Sequence, residues 1–238
     1  MKRYAYRLTL IGLLITHCAQ TEMRLILTSA LTDSFFEVRK EQYLEAFRIL
    51  RSLGYNDFYI IEGFRNAGPS FLDEHSKNVF YSTAQDLTLA SRLNGINEAK
   101  TCLQGVNYFD FDPDDMIVKL TGRYHLVNDS FFKTVQNNIN NYDAIVKINP
   151  GNGNIYTLCF AMKCKYYKEM YETLDYHAMQ YQQIDLETQV GNYVKRKIAE
   201  GNFKILYVDK LDVKAILYGT STWTPFNVPS EIGKAVFF

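Results

Sequence analysis

The sequence is poor in the residues that mark disulfide-rich, fibrous and disordered proteins. Only 4 cysteines and 5 prolines occur among 238 residues, and the 13 glycines form no repeat. Four unevenly spaced cysteines exclude a disulfide framework and a paired zinc knuckle, and we interpret Cys102, Cys159 and Cys164 as buried apolar side chains. Because 47% of the residues are hydrophobic, the chain has enough apolar surface for one large core.

The sequence also lacks an excess of either charge. The 26 basic and 26 acidic side chains cancel, whereas proteins that bind nucleic-acid duplexes carry a basic surface. We therefore expect no nucleic-acid partner.

The N-terminal apolar run is too short to span a bilayer. Residues 8–15 are apolar and follow Lys2, Arg3 and Arg7, as in a signal peptide, but a spanning helix needs about 20 apolar residues. Two interpretations stay open. Residues 1–22 are a secretory or membrane-associating segment, which implies secretion, a lumenal location or peripheral membrane contact; or the chain starts at Met23 and is cytoplasmic. The folded domain is predicted over residues 23–238.

From Arg24 onward, strand-like and helix-like patterns alternate, which is typical of an α/β domain with a mainly parallel sheet. Leu25–Leu31, Asp57–Glu62 and Met116–Leu120 are short apolar runs suited to buried strands. A helix of about five turns is predicted to end before Gly54. A second helix is predicted to begin at Asn94 and to stop at Gly105.

The second half of the chain continues this alternation. Ala144–Ile148 and Ile155–Met162 predict two strands joined by a turn rich in glycine and asparagine. Residues 175–183 show little periodicity and predict a mobile loop or an ordinary surface connection. A helix capped by Asp185 follows, with Leu186, Val190, Val194 and Ile198 as its buried stripe.

Polar side chains follow three of the predicted strands. Thr28 and Ser29 end the first, Glu62 ends the second, and residues 119–124 end the strand that begins at Met116. Ligands of open α/β sheets bind beyond the carboxyl ends of the strands. The helix start at residues 94–98 adds free amides and a dipole that favour an anion. The sequence therefore predicts a binding site at this edge of the sheet.

The order of these elements resembles the small GT-A-type glycosyltransferases. A first strand ending in Thr-Ser, a second ending in an acidic residue, an Asn-Gly-Ile-Asn-Glu-Ala helix start and Lys-Leu-Thr-Gly-Arg-Tyr at residues 119–124 are similar to short polysaccharide transferases with a Lys-x-Thr-Gly-Arg-Tyr strand end. The resemblance covers residues 24–217. It implies a single GT-A-like Rossmannoid domain that transfers a sugar from a nucleotide-sugar donor to a hydroxyl of a glycan or lipid-linked acceptor, as in polysaccharide biosynthesis.

The resemblance also implies which residues bind the donor. The base and ribose would lie near the ends of the first two strands, and the sugar-phosphate near the start of the second helix. The implied donor-binding residues are Thr28, Ser29, Glu62, Asn94, Gly95, Asn97, Glu98, Thr121, Gly122 and Tyr124.

A diphosphate leaving group needs positive charge, which a divalent cation or fixed Arg and Lys side chains can supply. Many relatives carry an Asp-x-Asp metal motif where this chain has Thr-Gly-Arg at residues 121–123. Lys119 and Arg123 are therefore predicted to be catalytic without a metal, with strand alternation placing only one of them in the site. The rival is a Mn²⁺ or Mg²⁺ site at Asp110 and Asp112, although such an acidic stretch more commonly forms a solvated loop.

An inverting transferase needs a carboxylate to accept the proton of the acceptor hydroxyl. Glu187, in the first turn of the helix capped by Asp185, is our candidate for this base. Its structural alternative is compensation of the helix dipole. His125 and His177 are weaker candidates, and a retaining reaction stays open.

Two other functions stay open at this point. A sugar nucleotidyltransferase on a similar scaffold would carry a glycine-rich, basic segment after the first strand, which residues 28–36 lack. A secreted calcium-binding or glycan-binding protein would use the acidic residues 110–115 and the 18 tyrosines.

Overall fold

The computed structural model describes residues 21–32, 36–64, 68–84, 94–216 and 235–237. The strands within these ranges are β1 (Met23–Ser29), β2 (Tyr59–Glu62), β3 (Val79–Tyr81), β4 (Met116–Thr121), β5 (His125–Leu126), β6 (Ala144–Val146), β7 (Cys159–Lys163), β8 (Ile205–Tyr207), β9 (Val213–Ile216) and β10 (Ala235–Phe237). The helices are α1 (Phe36–Ser52), α2 (Asn94–Phe109), α3 (Ser130–Asn138), α4 (Cys164–Glu172), α5 (Tyr176–Tyr181) and α6 (Leu186–Ala199), with a short 3-10 helix at Phe71–Glu74.

Seven strands form the central sheet in the order β3-β2-β1-β4-β7-β6-β8. β7 runs antiparallel to its neighbours β4 and β6, and the other neighbouring strands of this sheet are parallel. A small antiparallel sheet, β10-β9-β5, is formed beside it. The predicted α/β class with a mainly parallel sheet flanked by helices is confirmed.

The sheet separates two hydrophobic clusters, because successive side chains of a strand point to opposite faces. On β4, Ile117 belongs to the cluster beneath α2, α4 and α6, whereas Val118 and Leu120 belong to the cluster beneath α1 and α3. α1 and α2 therefore cover opposite faces of the sheet. This division decides from which side each helix reaches the sheet edge.

α1 follows the prediction closely. Its seventeen-residue length is close to five turns, and Tyr43, Phe47 and Leu50 form its buried stripe. Gly54 ends it with φ +93°, and the amides of Gly54 and Tyr55 donate to carbonyls of the last turn. A left-handed φ is available to glycine without steric cost, so the predicted C-cap is confirmed.

The predicted stop of α2 at Gly105 is wrong. The helix continues to Phe109, and Gly105 lies inside it against β2. A Cβ at Gly105 would lie 2.4 Å from Cδ1 and 2.6 Å from Cγ1 of Ile61. The glycine therefore allows α2 to approach the sheet closely instead of ending the helix.

Two later predictions also need correction. Residues 175–183 are not a loop, since α5 runs through them; Asp175 caps it by accepting from the amide of Ala178, and Met179 is buried. The return strand of the predicted hairpin is shorter than Ile155–Met162, because Ile155 makes only an isolated bridge and β7 begins at Cys159.

The buried stripe of α6 is three residues long instead of four. Leu186, Val190 and Val194 are buried as expected, while Ile198, near the C-terminal end, is 39% exposed. The Asp185 cap is confirmed, since its carboxylate accepts from the amide of Thr188 at 2.7 Å.

Residues 1–20, which hold most of the signal-like segment, lie outside the described residues, so both interpretations of the N-terminus stay predictions. Within the ranges given above, no helix combines the length and the apolar character needed to cross a membrane.

The close contact at Gly105 makes a stability prediction. We expect Gly105→Ala to destabilise the domain by about 1–3 kcal/mol, because the added methyl group overlaps Ile61 in a packed core. The free energy of unfolding, measured by urea denaturation, checks this.

Gly191→Ala is the matched control, since Gly191 also lies inside a helix but a Cβ there would make only ordinary contacts at 3.6 Å or more. It should be neutral or stabilising by up to about 1 kcal/mol, because alanine is the better helix former. Equal losses at both glycines would contradict the role assigned to Ile61.

Candidate functional site

A cavity of about 250 Å³ opens at the carboxyl ends of β1, β2 and β4. This is the edge at which the sequence predicts a site. Of the predicted site residues, seven line the cavity: Thr28, Ser29, Asn94, Asn97, Glu98, Thr121 and Arg123. Lys119, Glu62, Gly95, Gly122, Tyr124 and Glu187 lie outside its lining. That any of these residues binds a donor stays a prediction.

Glu62 is fully buried and holds the loops that follow β1 and β2. Its carboxylate accepts from the hydroxyl of Ser29 and from the amides of Leu31, at 3.0 Å, and Phe64, at 2.7 Å. Hydrogen bonds to a buried charge are among the stronger ones in proteins. Because both of its oxygens accept hydrogen bonds from the chain, Glu62 fixes the loops beside the cavity without lining the cavity itself.

The Thr-Gly-Arg-Tyr segment turns sharply at the end of β4. The amide of Gly122 donates to the carbonyl of Thr28 at 2.9 Å, and a Cβ at Gly122 would lie 3.0 Å from that oxygen and from Cε1 of Tyr43. The close approach to β1 therefore favours glycine. The turn carries Arg123 to the cavity, where its guanidinium lies 4.8 Å from the centre of the Tyr124 ring, a cation–π distance.

Arg39 is the main functional candidate that sequence reasoning missed. It lies in the first half of α1, lines the cavity and donates to the carbonyl of Ala30. Burial, together with the nearby charge of Arg123, lowers the pKa of Arg39 from its usual value, but an arginine stays charged in proteins. The available signal was its position one turn before Tyr43, on the buried stripe of α1, where a charged residue is unusual.

Gly95 has a packing role at the start of α2. A Cβ there would lie 3.1 Å from Cβ of Leu186, the first residue of α6. The glycine therefore brings the N-termini of α2 and α6 together. This contact places Glu98 and Glu187, one on each helix, near the same buried lysine.

Lys119 is that lysine, and its side chain is fully buried below the cavity. The ammonium group forms an ion pair with Glu98 and donates to the carbonyl of Thr157 at 2.6 Å and to the hydroxyl of Thr121 at 3.2 Å. Burial disfavours the charge, but Glu98, together with Cys102 and Glu187, outweighs burial and raises the pKa of Lys119. Of the two predicted cations, only Arg123 lines the cavity. Strand alternation is not the reason, since residues four apart on a strand share a face; Lys119 lies within β4, whereas Arg123 lies in the turn that follows it.

Glu187 and Lys119 both form a hydrogen bond with Thr157. The Glu187 carboxylate accepts from the hydroxyl of Thr157 at 2.6 Å. Burial raises the pKa of Glu187, and the neighbouring Glu98 carboxylate adds to this. A buried carboxyl with a raised pKa suits a general base, but the carboxylate does not line the cavity, so its role as a base stays a prediction.

The two histidines named as candidate bases, His125 and His177, do not reach the cavity. His125 is buried and its Nε2 lies 3.1 Å from the carbonyl of Gln42. His177 is exposed on α5, with its ring 4.6 Å from that of Tyr181. Neither residue lines the cavity.

Asp110 and Asp112 lie at the wrong end of the sheet for a metal in the cavity. They precede β4, whose six residues extend about 20 Å toward the cavity. Asp112 accepts from the amide of Asp114 within its own loop, and no group of three potential ligand residues occurs in the described ranges. The described residues of the cavity do not fit a resident divalent cation, because their one lining carboxylate, Glu98, is paired with Lys119.

No protein-family model matches the chain, and no curated protein matches it. Solved structures do. A candidate nucleotide-diphospho-sugar transferase from Desulfovibrio desulfuricans is 12% identical with a TM-score of 0.48, covering 79% of this chain and 80% of that one. A glycosyltransferase involved in the glycosylation of the major capsid of PBCV-1 is 12% identical with a TM-score of 0.48, at 79% and 85% coverage. A cytidylyltransferase from Leptospira borgpetersenii is 11% identical with a TM-score of 0.48, at 81% and 78% coverage.

Identities of 11–12% and TM-scores of 0.48 do not carry an activity from those proteins to this chain. Its function has to be inferred from the chemistry of the cavity.

The pair of Lys119 and Glu98 makes a prediction about stability and pH. We expect Lys119→Met and Glu98→Gln each to destabilise the domain by about 3 kcal/mol, because each leaves the partner's charge without compensation. The double variant should be more stable than the sum of the two losses by about 1–3 kcal/mol. Urea denaturation of the three variants checks both values.

The pH dependence of stability shows whether the loss comes from the charge of Lys119 or from altered packing. In Glu98→Gln the strongest influence that favours the charge of Lys119 is lost, while the smaller influences of Cys102 and Glu187 remain. We expect burial then to lower the pKa of Lys119 below the unfolded value of about 10.4. The unfolded chain then binds more protons than the native one, so the deficit against wild type should shrink as the pH rises from about 7 toward 10. A constant deficit over this range would show that the buried ammonium keeps its proton without Glu98.

Proposed function

We propose that the chain is a glycosyltransferase that binds a nucleotide-sugar donor in the cavity and passes the sugar to a hydroxyl of a glycan or lipid-linked acceptor. The observation that carries the proposal is the pair of guanidinium groups, Arg39 and Arg123, in a cavity at the carboxyl edge of the sheet. The resemblance of residues 119–124 to short polysaccharide transferases supports the same class. Such donors are made in the cytoplasm, and action there is part of the proposal.

The two guanidinium groups match the chemical demand of the reaction. Breaking the bond between sugar and diphosphate leaves negative charge on the leaving group, and fixed positive groups stabilise it without reorganisation. Arg39 is held by the carbonyl of Ala30, and Arg123 is held over the ring of Tyr124. Because these contacts orient both side chains, the cavity holds fixed positive charge before a ligand binds. The described residues form no metal site that could supply this charge instead.

The segment between β1 and α1 favours glycosyl transfer over nucleotidyl transfer. Residues 29–38 contain no glycine, lysine or arginine, whereas a nucleotidyltransferase needs a loop that wraps a triphosphate after the first strand. The triphosphate-binding loops of proteins are rich in glycine, because the backbone has to approach the phosphates closely. We therefore assign the cavity a nucleoside diphosphate instead.

Turnover of a nucleotide sugar tests the proposal. With UDP-glucose, UDP-galactose and GDP-mannose as donors, with and without Mn²⁺, we expect release of UDP or GDP from at least one donor. Arg39→Ala and Arg123→Ala should each lower kcat/KM by about 10²-fold or more, because each removes a cation from the leaving group. Product analysis by chromatography checks this.

Arg48→Ala is the matched control, since Arg48 lies on the exposed face of α1, where it forms an ion pair with Glu45. It should leave turnover unchanged. Formation of UTP or GTP on adding pyrophosphate would overturn the proposal in favour of a nucleotidyltransferase. Stabilisation by Ca²⁺ without any release of nucleotide would favour the binding protein.

The assignment of Glu187 as general base predicts a pH dependence. A base has to be deprotonated, and burial raises the pKa of Glu187, so turnover should rise with pH through that raised pKa. Glu187→Gln should lower kcat by about 10²-fold or more and abolish this rise. The measurement is kcat as a function of pH for both proteins.

The affinity for UDP and the free energy of unfolding serve as controls, since Glu187→Gln keeps a hydrogen-bond acceptor for Thr157. If kcat keeps its pH dependence in Glu187→Gln, the residue only compensates its helix dipole and another group acts as the base.

A further inference from the structure

The polar groups of the cavity enter it from opposite faces of the sheet. Arg39 comes from α1, on the face that also holds Tyr124, over which Arg123 lies. Glu98 comes from α2, on the other face, together with Thr101. One wall is therefore cationic and the opposite wall presents a carboxylate and a hydroxyl. A ligand that fits both walls has an anionic part and, beside it, a part rich in hydrogen-bond donors.

Glu98 presents one carboxylate oxygen to the cavity. Oε1 is buried against the ammonium group of Lys119, while the side chain as a whole is 32% exposed. Within the described ranges no hydrogen bond to Oε2 is formed. Because Lys119 is held in turn by Thr157 and Thr121, the ion pair fixes the carboxylate in position.

Thr101 supplies a second, independent observation. It lies one turn after Glu98 on the same face of α2 and lines the cavity. The residue is only 3% exposed, and its hydroxyl has no hydrogen-bond partner within the described part of the chain. A buried hydroxyl without a partner is costly. A ligand group that bonds to it would remove that cost.

Gly63 keeps the space above this hydroxyl open. A Cβ at Gly63 would lie 2.9 Å from Cγ2 and 3.1 Å from Oγ1 of Thr101. Gly63 also lines the cavity. The absence of a side chain at the end of β2 thus leaves Thr101 within reach of a ligand.

We propose that Glu98 and Thr101 bind a vicinal pair of ligand hydroxyl groups, while Arg39 and Arg123 hold the adjoining diphosphate. An ionised carboxylate accepts hydrogen bonds only, which matches sugar hydroxyls and repels phosphate. Its ion pair with Lys119 cancels the attraction that an isolated carboxylate would have for a cation. This inference rests on the proposed function, and it names the specificity-determining residues of the same cavity.

The vicinal hydroxyls have two possible sources in a nucleotide sugar, the ribose and the transferred sugar. Their chemistry is the same, so matched ligands that lack one hydroxyl distinguish them. UDP against 2′-deoxy-UDP, and GDP against 2′-deoxy-GDP, report on the ribose. UDP-glucose against UDP-2-deoxyglucose reports on the sugar.

Calorimetric titration of the full chain with these three pairs tests the proposal. In wild type we expect at least one pair to differ by tenfold or more in Kd, in favour of the ligand that carries the hydroxyl, because a site built around a hydroxyl rejects the analogue that lacks it. Glu98→Gln should bring that ratio close to one, by weakening only the hydroxylated ligand. Thr101→Val, which keeps the shape of the side chain, should lower the same ratio.

Glu98→Gln leaves the buried charge of Lys119 unpaired and can therefore unfold the protein. The double variant Glu98→Gln/Lys119→Met removes both charges, and we expect it to show the same loss of preference for the hydroxylated ligand. Glu45→Gln, a carboxylate on the exposed side of α1, is the control and should change no Kd.

Equal binding of both members of every pair by wild type overturns the inference while leaving the proposed function standing, and so does an equal loss of affinity for both members in Glu98→Gln. If Glu98→Gln lowers turnover but leaves the Kd ratios unchanged, Glu98 acts on the reacting hydroxyl group. That result would also overturn the inference. Binding of none of the six ligands by wild type would instead refute the proposed function.

Discussion

The buried ammonium group of Lys119 is the constraint around which the candidate site is arranged. A charge inside a protein is tolerated only when it is paired and hydrogen-bonded, and Lys119 is fully buried in the strand at the centre of the sheet. Glu98 of α2 forms the ion pair with this ammonium group, and the carbonyl of Thr157, in the segment before β7, accepts a hydrogen bond from it. The same requirement brings the start of α6 close, because the hydroxyl of Thr157 binds Glu187.

The opposite side of the cavity depends on a second buried charge. Glu62 accepts hydrogen bonds from the hydroxyl of Ser29 and from amides of the loops after β1 and β2. These bonds fix the backbone around Ala30, whose carbonyl accepts a hydrogen bond from Arg39. The cavity thus has a carboxylate below its cationic wall and a lysine below its acidic wall. Each of these buried groups positions a residue of opposite sign that lines the cavity, so Arg39 and Glu98 are held in place by the fold itself.

The sequence predicted the elements whose side chains alternate regularly and missed those decided by contacts between distant segments. The parallel strands and α1 follow from local periodicity, and the cavity edge follows from the polar residues that end those strands. The predicted helix stop at Gly105 is wrong, because only the position of Ile61 on β2 shows that glycine is needed there for close approach. The sequence predicts a loop at residues 175–183, because the helix that Asp175 caps is short and has too few apolar residues to show a period. Arg39 was missed because a charge on a buried stripe becomes meaningful only once the strand ends are placed around it.

Counting charges also says little about a cavity. The 26 basic and 26 acidic side chains cancel over the chain, which argues against a broad basic surface, yet the fold brings Arg39 of α1 and Arg123 of the turn after β4 to one wall. Their mutual repulsion, added to burial, lowers the pKa of Arg39. An anion between the two guanidinium groups would relieve that repulsion as well as gain two attractive contacts, and both effects are stronger in a partly desolvated cavity than in water. A chain without net charge can therefore attract an anion through local charge alone, provided that its cations are held in place, as Arg39 is by the carbonyl of Ala30 and Arg123 by the ring of Tyr124.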